Sequence, residues 1–238
     1  MKSRETAALL ASWLLSVSAC SPGELAPAAP VPAEPAAAVA TRPAPDVSKL
    51  PPGAYKIDPS HASLTFKVNH LGFAFYTAQF QTFTADLQLD PANPATATVK
   101  AEIELASLLL PNPPEGFKDE ILGPNWLGAA QVPKMTFVST GVTTTGPATA
   151  DIVGDLTLKG VTQPVTLHAT FNGGYEGHPQ DPNARIGFSA HGSLKRSAFG
   201  VSLGIPAPGS TMGVFDDVEI AIEAEFTGPA LAGATPPV

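Results

Sequence analysis

Val218-Glu219-Ile220-Ala221-Ile222-Glu223-Ala224-Glu225-Phe226 alternates sides almost without a break. Val218, Ile220, Ile222, Ala224 and Phe226 fall on one side of an extended chain, and Glu219, Glu223 and Glu225 on the other. The segment from Val99 to Leu105 repeats the device, with Val99, Ala101, Ile103 and Leu105 opposed to Lys100, Glu102 and Glu104. Such period-two patterning marks a strand wetted on one face only. Eight runs read as strands: Ala62–Asn69, Gln81–Asp90, Ala95–Leu105, Lys134–Thr140, Ala148–Leu158, Val165–Asn172, Ala184–Lys195 and Val218–Thr227. Turn residues separate them, as in Asp90-Pro91-Ala92-Asn93, Lys159-Gly160 and Asn172-Gly173-Gly174. Pro164 is placed at a strand start, where a missing N–H matters least. Many short strands with few helices must bury their apolar faces against each other, as a sandwich or a closed barrel.

Outside these runs the composition changes sharply. Residues 1–19 read as an export signal: Lys2 and Arg4, then an apolar stretch from Thr6 to Val17 that is short for a membrane span. Val17-Ser18-Ala19-Cys20 resembles the lipobox of bacterial lipoproteins, in which the signal is cut before the cysteine and the cysteine is lipidated. Cys20 is the lone cysteine of the chain, so no disulfide forms within it. The remainder after cleavage carries 11 basic and 20 acidic residues. That balance disfavours nucleic acid, which needs a basic footprint, and leaves attachment to an anionic membrane surface to the anchor. Ser21 to Pro52 holds nine prolines, nine alanines and no aromatic residue, the composition of an extended, semi-stiff linker. Residues 20–53 are therefore read as anchor plus linker, 54–228 as a single domain, and 229–238 as a disordered tail.

Two stretches depart from alternation. Pro114 to Ala130 spaces Phe117 and Ile121 helically, which predicts one or two short helical turns limited by Pro124. Phe199 to Asp217 is a long connection that is unusually apolar through Val201, Leu203 and Ile205. It reads either as a flap over a barrel mouth or as an extra edge strand.

Several segments, in order, resemble one family. Tyr55-Lys56-Ile57-Asp58-Pro59-Ser60-His61 running on to Phe66, then Val68-Asn69-His70-Leu71-Gly72, resemble its opening strand. Gly154-Asp155-Leu156-Thr157-Leu158-Lys159-Gly160 resembles its central hairpin, and Gly187-Phe188 with Arg196-Ser197-Ala198-Phe199-Gly200 its seventh strand and exit loop. The family is that of the YceI-like lipid- or polyisoprenoid-binding proteins. The chain departs from the usual pattern at Ala78-Gln79-Phe80, at Asp119-Glu120-Ile121-Leu122 and at Trp126-Leu127. The resemblance implies an all-β, single eight-stranded antiparallel extended β-barrel, lipocalin-like. It implies a lumen for a long apolar chain: a polyisoprenoid, an isoprenoid quinone or a fatty amide. It also implies export and, for some members, association with a cytochrome b561-type membrane partner.

The inward-facing set expected to line that lumen is Leu64, Phe66, Val68, Phe83, Leu87, Leu89, Val99, Ile103, Leu105, Phe137, Ile152, Leu167, Phe171, Ile186, Phe188 and Ile220. Burial of a ligand methylene is worth about 0.8 kcal/mol, so a long chain binds without polar contacts. A pyrophosphate head would want several cations, yet from Tyr55 onward there are only Arg185, Arg196 and seven lysines. That scarcity favours a neutral head. Arg196, at a strand end beside the long loop, and His61 are the candidate headgroup contacts. The alternatives are a solvated strand end for Arg196 and a hydrogen bond to Asp58 for His61. The five histidines are scattered, none two or four residues from another, so no metal site is expected. No glycine-rich phosphate loop or G-x-S-x-G elbow is present, and no cofactor is expected. A non-enzymatic lipid carrier anchored through Cys20, periplasm-facing at the outer membrane because Ser21 follows the cysteine, is the leading expectation. A barrel enzyme acting on an isoprenoid lipid, or a docking module for a membrane redox partner, is the alternative.

Overall fold

Eight antiparallel strands close on themselves in the computed structural model, which describes residues 45–231. In chain order the strands are β1 (Gly53–His70), β2 (Ala74–Phe80), β3 (Phe83–Leu89), β4 (Thr98–Glu104), β5 (Leu108–Leu109), β6 (Lys134–Gly146), β7 (Thr149–Leu158), β8 (Val161–Tyr175), β9 (Asn183–Lys195) and β10 (Val214–Ala230). The neighbour order β1-β3-β4-β6-β7-β8-β9-β10 returns to β1, so the barrel has no free edge; β2 and β5 extend the sheet beside β1. Among the described residues the one α-helix, α1 (Phe117–Leu122), follows Gly116, whose φ of 74° favours a residue without a Cβ.

The long β1 makes closure possible. It pairs with β3 through Gly53–Lys56, with β2 through Leu64–His70, and with β10 along most of its length. Its register against β10 slips between Ile57 and Ala62. Pro59 lies in that slip, where no ladder bond is lost, and the Asp58 carboxylate accepts from the Ser60 N–H instead. A strand beginning at Ala62 was therefore too short, because Pro59 reads as a stop. Strand β2 escaped the alternation for a different reason. Tyr76, Ala78 and Phe80 point to the interior, but Phe75 on the other face is half exposed, and Phe73 just before the strand is more so.

Other boundaries shift. Residues 94–96 form a 3-10 turn, so β4 starts at Thr98 and ends before Leu105. Pro164 lies inside β8 opposite Asp155, at a level where β9 has not yet reached β8. Residues 201–213 hold no strand and touch no part of the lumen, so the long connection is neither an edge strand nor a flap over the mouth. Val47 and Leu50, assigned to the linker by composition, pack on the barrel, and the Tyr55 hydroxyl donates to the Pro51 carbonyl at 2.6 Å. The signal and lipobox residues, the linker before residue 45 and the tail after residue 231 lie outside the described residues.

The core divides along the barrel axis. One cluster gathers Phe80, Leu105, Leu108, Phe137, Leu158 and Phe199, with Phe117, Ile121 and Leu122 of α1 packed against it. The other gathers Leu50, Tyr55, Leu89, Phe171, Ile186 and Phe226.

Candidate functional site: an apolar lumen open at one end

Between the two clusters runs a cavity of about 270 Å³. Leu64 of β1, Phe83 and Leu87 of β3, Val99 and Ile103 of β4, and Phe137 of β6 line one side of it. Ile152 of β7, Leu167 and Phe171 of β8, Phe188 of β9 and Ile220 of β10 line the other, with Leu89 near the mouth. Four residues of the inward set do not reach it. Phe66 stacks on Phe80, their ring centroids 5.6 Å apart, inside the α1-side cluster. Leu105 is fully buried in that same plug, because the chain turns into a 3-10 helix there. Val68 lies beyond the plug, towards the end of β1, and Ile186 is buried in the second cluster.

Alanines create the void. Ala85 and Ala101 face each other on β3 and β4, and Ala150, Ala169 and Ala190 form a cross-strand row on β7, β8 and β9; all five line the cavity. Eight-stranded barrels are filled by large side chains in some proteins and hold one ligand in others. Here alanines at inward positions, set among larger residues on the same strands, leave the centre empty. The same alternation that revealed the strands marks these positions, but large residues draw attention on an inward face. At one end the plug closes the cavity. At the other, the lining passes onto Val47, Pro94, Ala97, Gly146 and Pro147, which frame the mouth.

Among the described residues, no charged side chain lines the lumen; its polar residues are Thr98, Thr144 and Thr149, of which Thr144, opposite Ala150, lies on the inward face. Nothing there would compensate an ion for leaving water, nor act as general acid or base. The two arginines of the domain, Arg185 and Arg196, are engaged elsewhere. Arg196 is 5 % exposed and neither solvated nor near the mouth. Its Nη1 donates to the carbonyls of Val201 at 2.8 Å and Leu203 at 2.9 Å, its Nη2 to Val214 at 2.7 Å and its Nε to Phe215 at 3.0 Å. The guanidinium also stacks over Trp126, 5.2 Å from the ring centroid. Burial lowers its pKa, and nearby Asp216 opposes that shift. Both headgroup contact and solvated strand end are thereby corrected: Arg196 clamps the 201–213 connection.

His61 is an exposed residue that does not reach the lumen. Its Nδ1 lies 3.1 Å from Asp58 and 3.9 Å from Glu225. Asp58 also accepts from Arg185 at 2.6 Å, and Arg185 donates to Asp181 at 2.8 Å. His61 and then Arg185 hold the Asp58 carboxyl at about 2. These groups secure the β1 slip against β9.

Comparison with known proteins agrees with this architecture. A UPF0312 protein of Pseudomonas putida (strain W619) is 39% identical over 171 residues, which span 71% of this chain and 84% of that protein. Burkholderia cenocepacia BcnA superposes with a TM-score of 0.59 at 25% identity, over 71% of this chain and 98% of that one. A polyisoprenoid binding domain from Saccharophagus degradans shares the fold, with a TM-score of 0.51 at 13% identity over 74% of this chain and 99% of that one. The model of the YceI-like domain matches residues 55–226, the span of the closed barrel, and the chain belongs to the YceI-like family.

Proposed function

We propose that the barrel binds a long-chain apolar lipid with an uncharged head, its hydrocarbon in the lumen and its head at the mouth beside Thr144. The carrying observation is a cavity of about 270 Å³ walled by Leu, Ile, Val, Phe and Ala without a charged group. That volume is near the lower end of ligand pockets, so it takes a segment of a long chain rather than a coiled whole. The shared fold with a polyisoprenoid binding domain supports an isoprenoid tail. Isoprenoid quinones and fatty amides meet the head requirement, and a pyrophosphate does not. The absence of a proton-transfer group from the lining among the described residues favours carriage over turnover. Anchored through Cys20 at the outer membrane, the protein would carry or buffer such a lipid in the periplasm. A cytochrome b561-type membrane protein is a candidate recipient.

Titration with an isoprenoid quinone and with a polyprenyl pyrophosphate of equal tail length tests the reading. Saturable binding of the quinone with at least tenfold weaker binding of the pyrophosphate is expected. Ala101→Phe, which fills the cavity, should abolish uptake of both. Equal or tighter binding of the pyrophosphate contradicts the uncharged head, and undiminished uptake by Ala101→Phe contradicts the lumen.

A further inference from the structure

The outer face of the barrel carries a row of side chains that the lumen does not use. Strands β7, β8 and β9 pair so that Asp151 is opposite His168, and His168 is opposite His191. The neighbouring row on the same strands is Ala150, Ala169 and Ala190, which faces the cavity. Alternation therefore sends Asp151, His168 and His191 outward together. The residues are 17 and 23 positions apart in sequence, and only the sheet register brings them side by side.

His168 is already oriented. Its Nδ1 lies 2.7 Å from the Asp151 carboxylate, which only accepts hydrogen bonds when ionised, so Nδ1 donates there and Nε2 is the ring nitrogen left to meet an ion. Metal-bound histidines are commonly fixed this way, with a carboxylate on one ring nitrogen and the metal on the other. The His191 ring is the second partner: its centroid is 5.2 Å from that of His168, with the planes inclined at 40°. A metal–imidazole bond of about 2.0–2.1 Å sets a ring centroid about 3.2 Å from the ion, and two rings at a tetrahedral angle then lie about 5.2 Å apart. The two imidazoles thus already have the separation that a tetrahedral ion shared between them would set. Both side chains are exposed, so small rotations aim the second nitrogen without disturbing the core.

We propose that His168 and His191 form a two-imidazole site on the barrel wall for a divalent transition-metal ion, Cu2+, Ni2+ or Zn2+, with Asp151 as the positioning residue. Imidazole ligands suit these ions, and Cu2+ binds most tightly of the three by the general affinity order. Among the described residues, no three His, Cys, Asp or Glu side chains are grouped to hold a metal. The protein supplies two ligands and water completes the shell, so the ion exchanges readily. The site lies behind the alanine row and is independent of lipid in the lumen.

Calorimetric titration of the full chain, without a polyhistidine tag, with CuSO4, NiSO4 and ZnSO4 tests the site. Electron paramagnetic resonance of the Cu2+ form reads the ligands. One ion per chain with two nitrogen ligands is expected. His168→Ala and His191→Ala should each weaken binding about 100-fold, and Asp151→Asn about tenfold, at unchanged melting temperature of the metal-free protein. His178→Ala and His61→Ala should leave affinity unchanged. Retention of full affinity by His168→Ala and His191→Ala, or its loss in His178→Ala or His61→Ala, overturns the site. Full affinity in Asp151→Asn overturns the positioning role.

Discussion

Arg196 contributes to the fold by donating to four backbone carbonyls, two in the connection at Val201 and Leu203 and two at the start of β10 at Val214 and Phe215. Replacing it with methionine keeps much of the volume and removes every donor. Leaving buried carbonyls without donors should lower stability by about 2–4 kcal/mol, measured by urea unfolding. Lipid uptake by the folded fraction should be unchanged, whereas a headgroup contact would lose affinity. The partners of Arg196 are carbonyls, which every residue carries, so no sequence pattern announces the clamp. The His61 alternative was legible, because Asp58 lies three residues away and within a side chain's reach. Asp58 also predicts an acid response. Its carboxyl is depressed to about 2, so its contribution is fully present above the ordinary value near 3.9 and is lost as pH falls through about 2. Unfolding free energy should decline between about pH 4 and pH 2, and Asp58→Asn should flatten that slope. A parallel slope in the variant would contradict the assignment.

Strand by strand, the alternating runs located eight of the ten strands, and the two omissions have distinct causes. Strand β2 carries Phe75 on its wet face, and β5 is two residues long. Ends were lost where proline intervened, as at Pro59, or where an element carried on past its patterned part. Strand β6, for example, runs six residues beyond Thr140, through a threonine-rich segment whose Val142 and Thr144 line the lumen. Packing between elements leaves a testable mark at Gly154 of β7. A Cβ there would overlap the ring of Phe137 on β6 and crowd the backbone carbonyl of Val138. Gly154→Ala should cost about 1–3 kcal/mol by overpacking, and the share due to the ring should vanish in a Phe137→Leu background while the share due to the Val138 carbonyl remains. Additive losses in the double mutant would show that the two residues do not meet.

For the whole molecule, the decisive quantity is the space left by Ala85, Ala101, Ala150, Ala169 and Ala190. Barrel closure was foreseeable from the resemblance to a known family, because alternation alone allowed a sandwich as well. A lumen was foreseeable from the same resemblance, but its size was not, since pattern fixes which way a side chain points and leaves the remaining volume open. Binding in that space also predicts a coupled stability. A ligand that occupies the folded barrel alone raises its unfolding free energy by about 2.7 kcal/mol at one hundred times its dissociation constant. Organic extraction of the purified protein followed by mass spectrometry measures the central claim most directly. The account predicts a long-chain lipid with an uncharged head, near one molecule per barrel and missing from Ala190→Phe. Extracts without such a lipid, together with a barrel that takes none up on incubation, would contradict it.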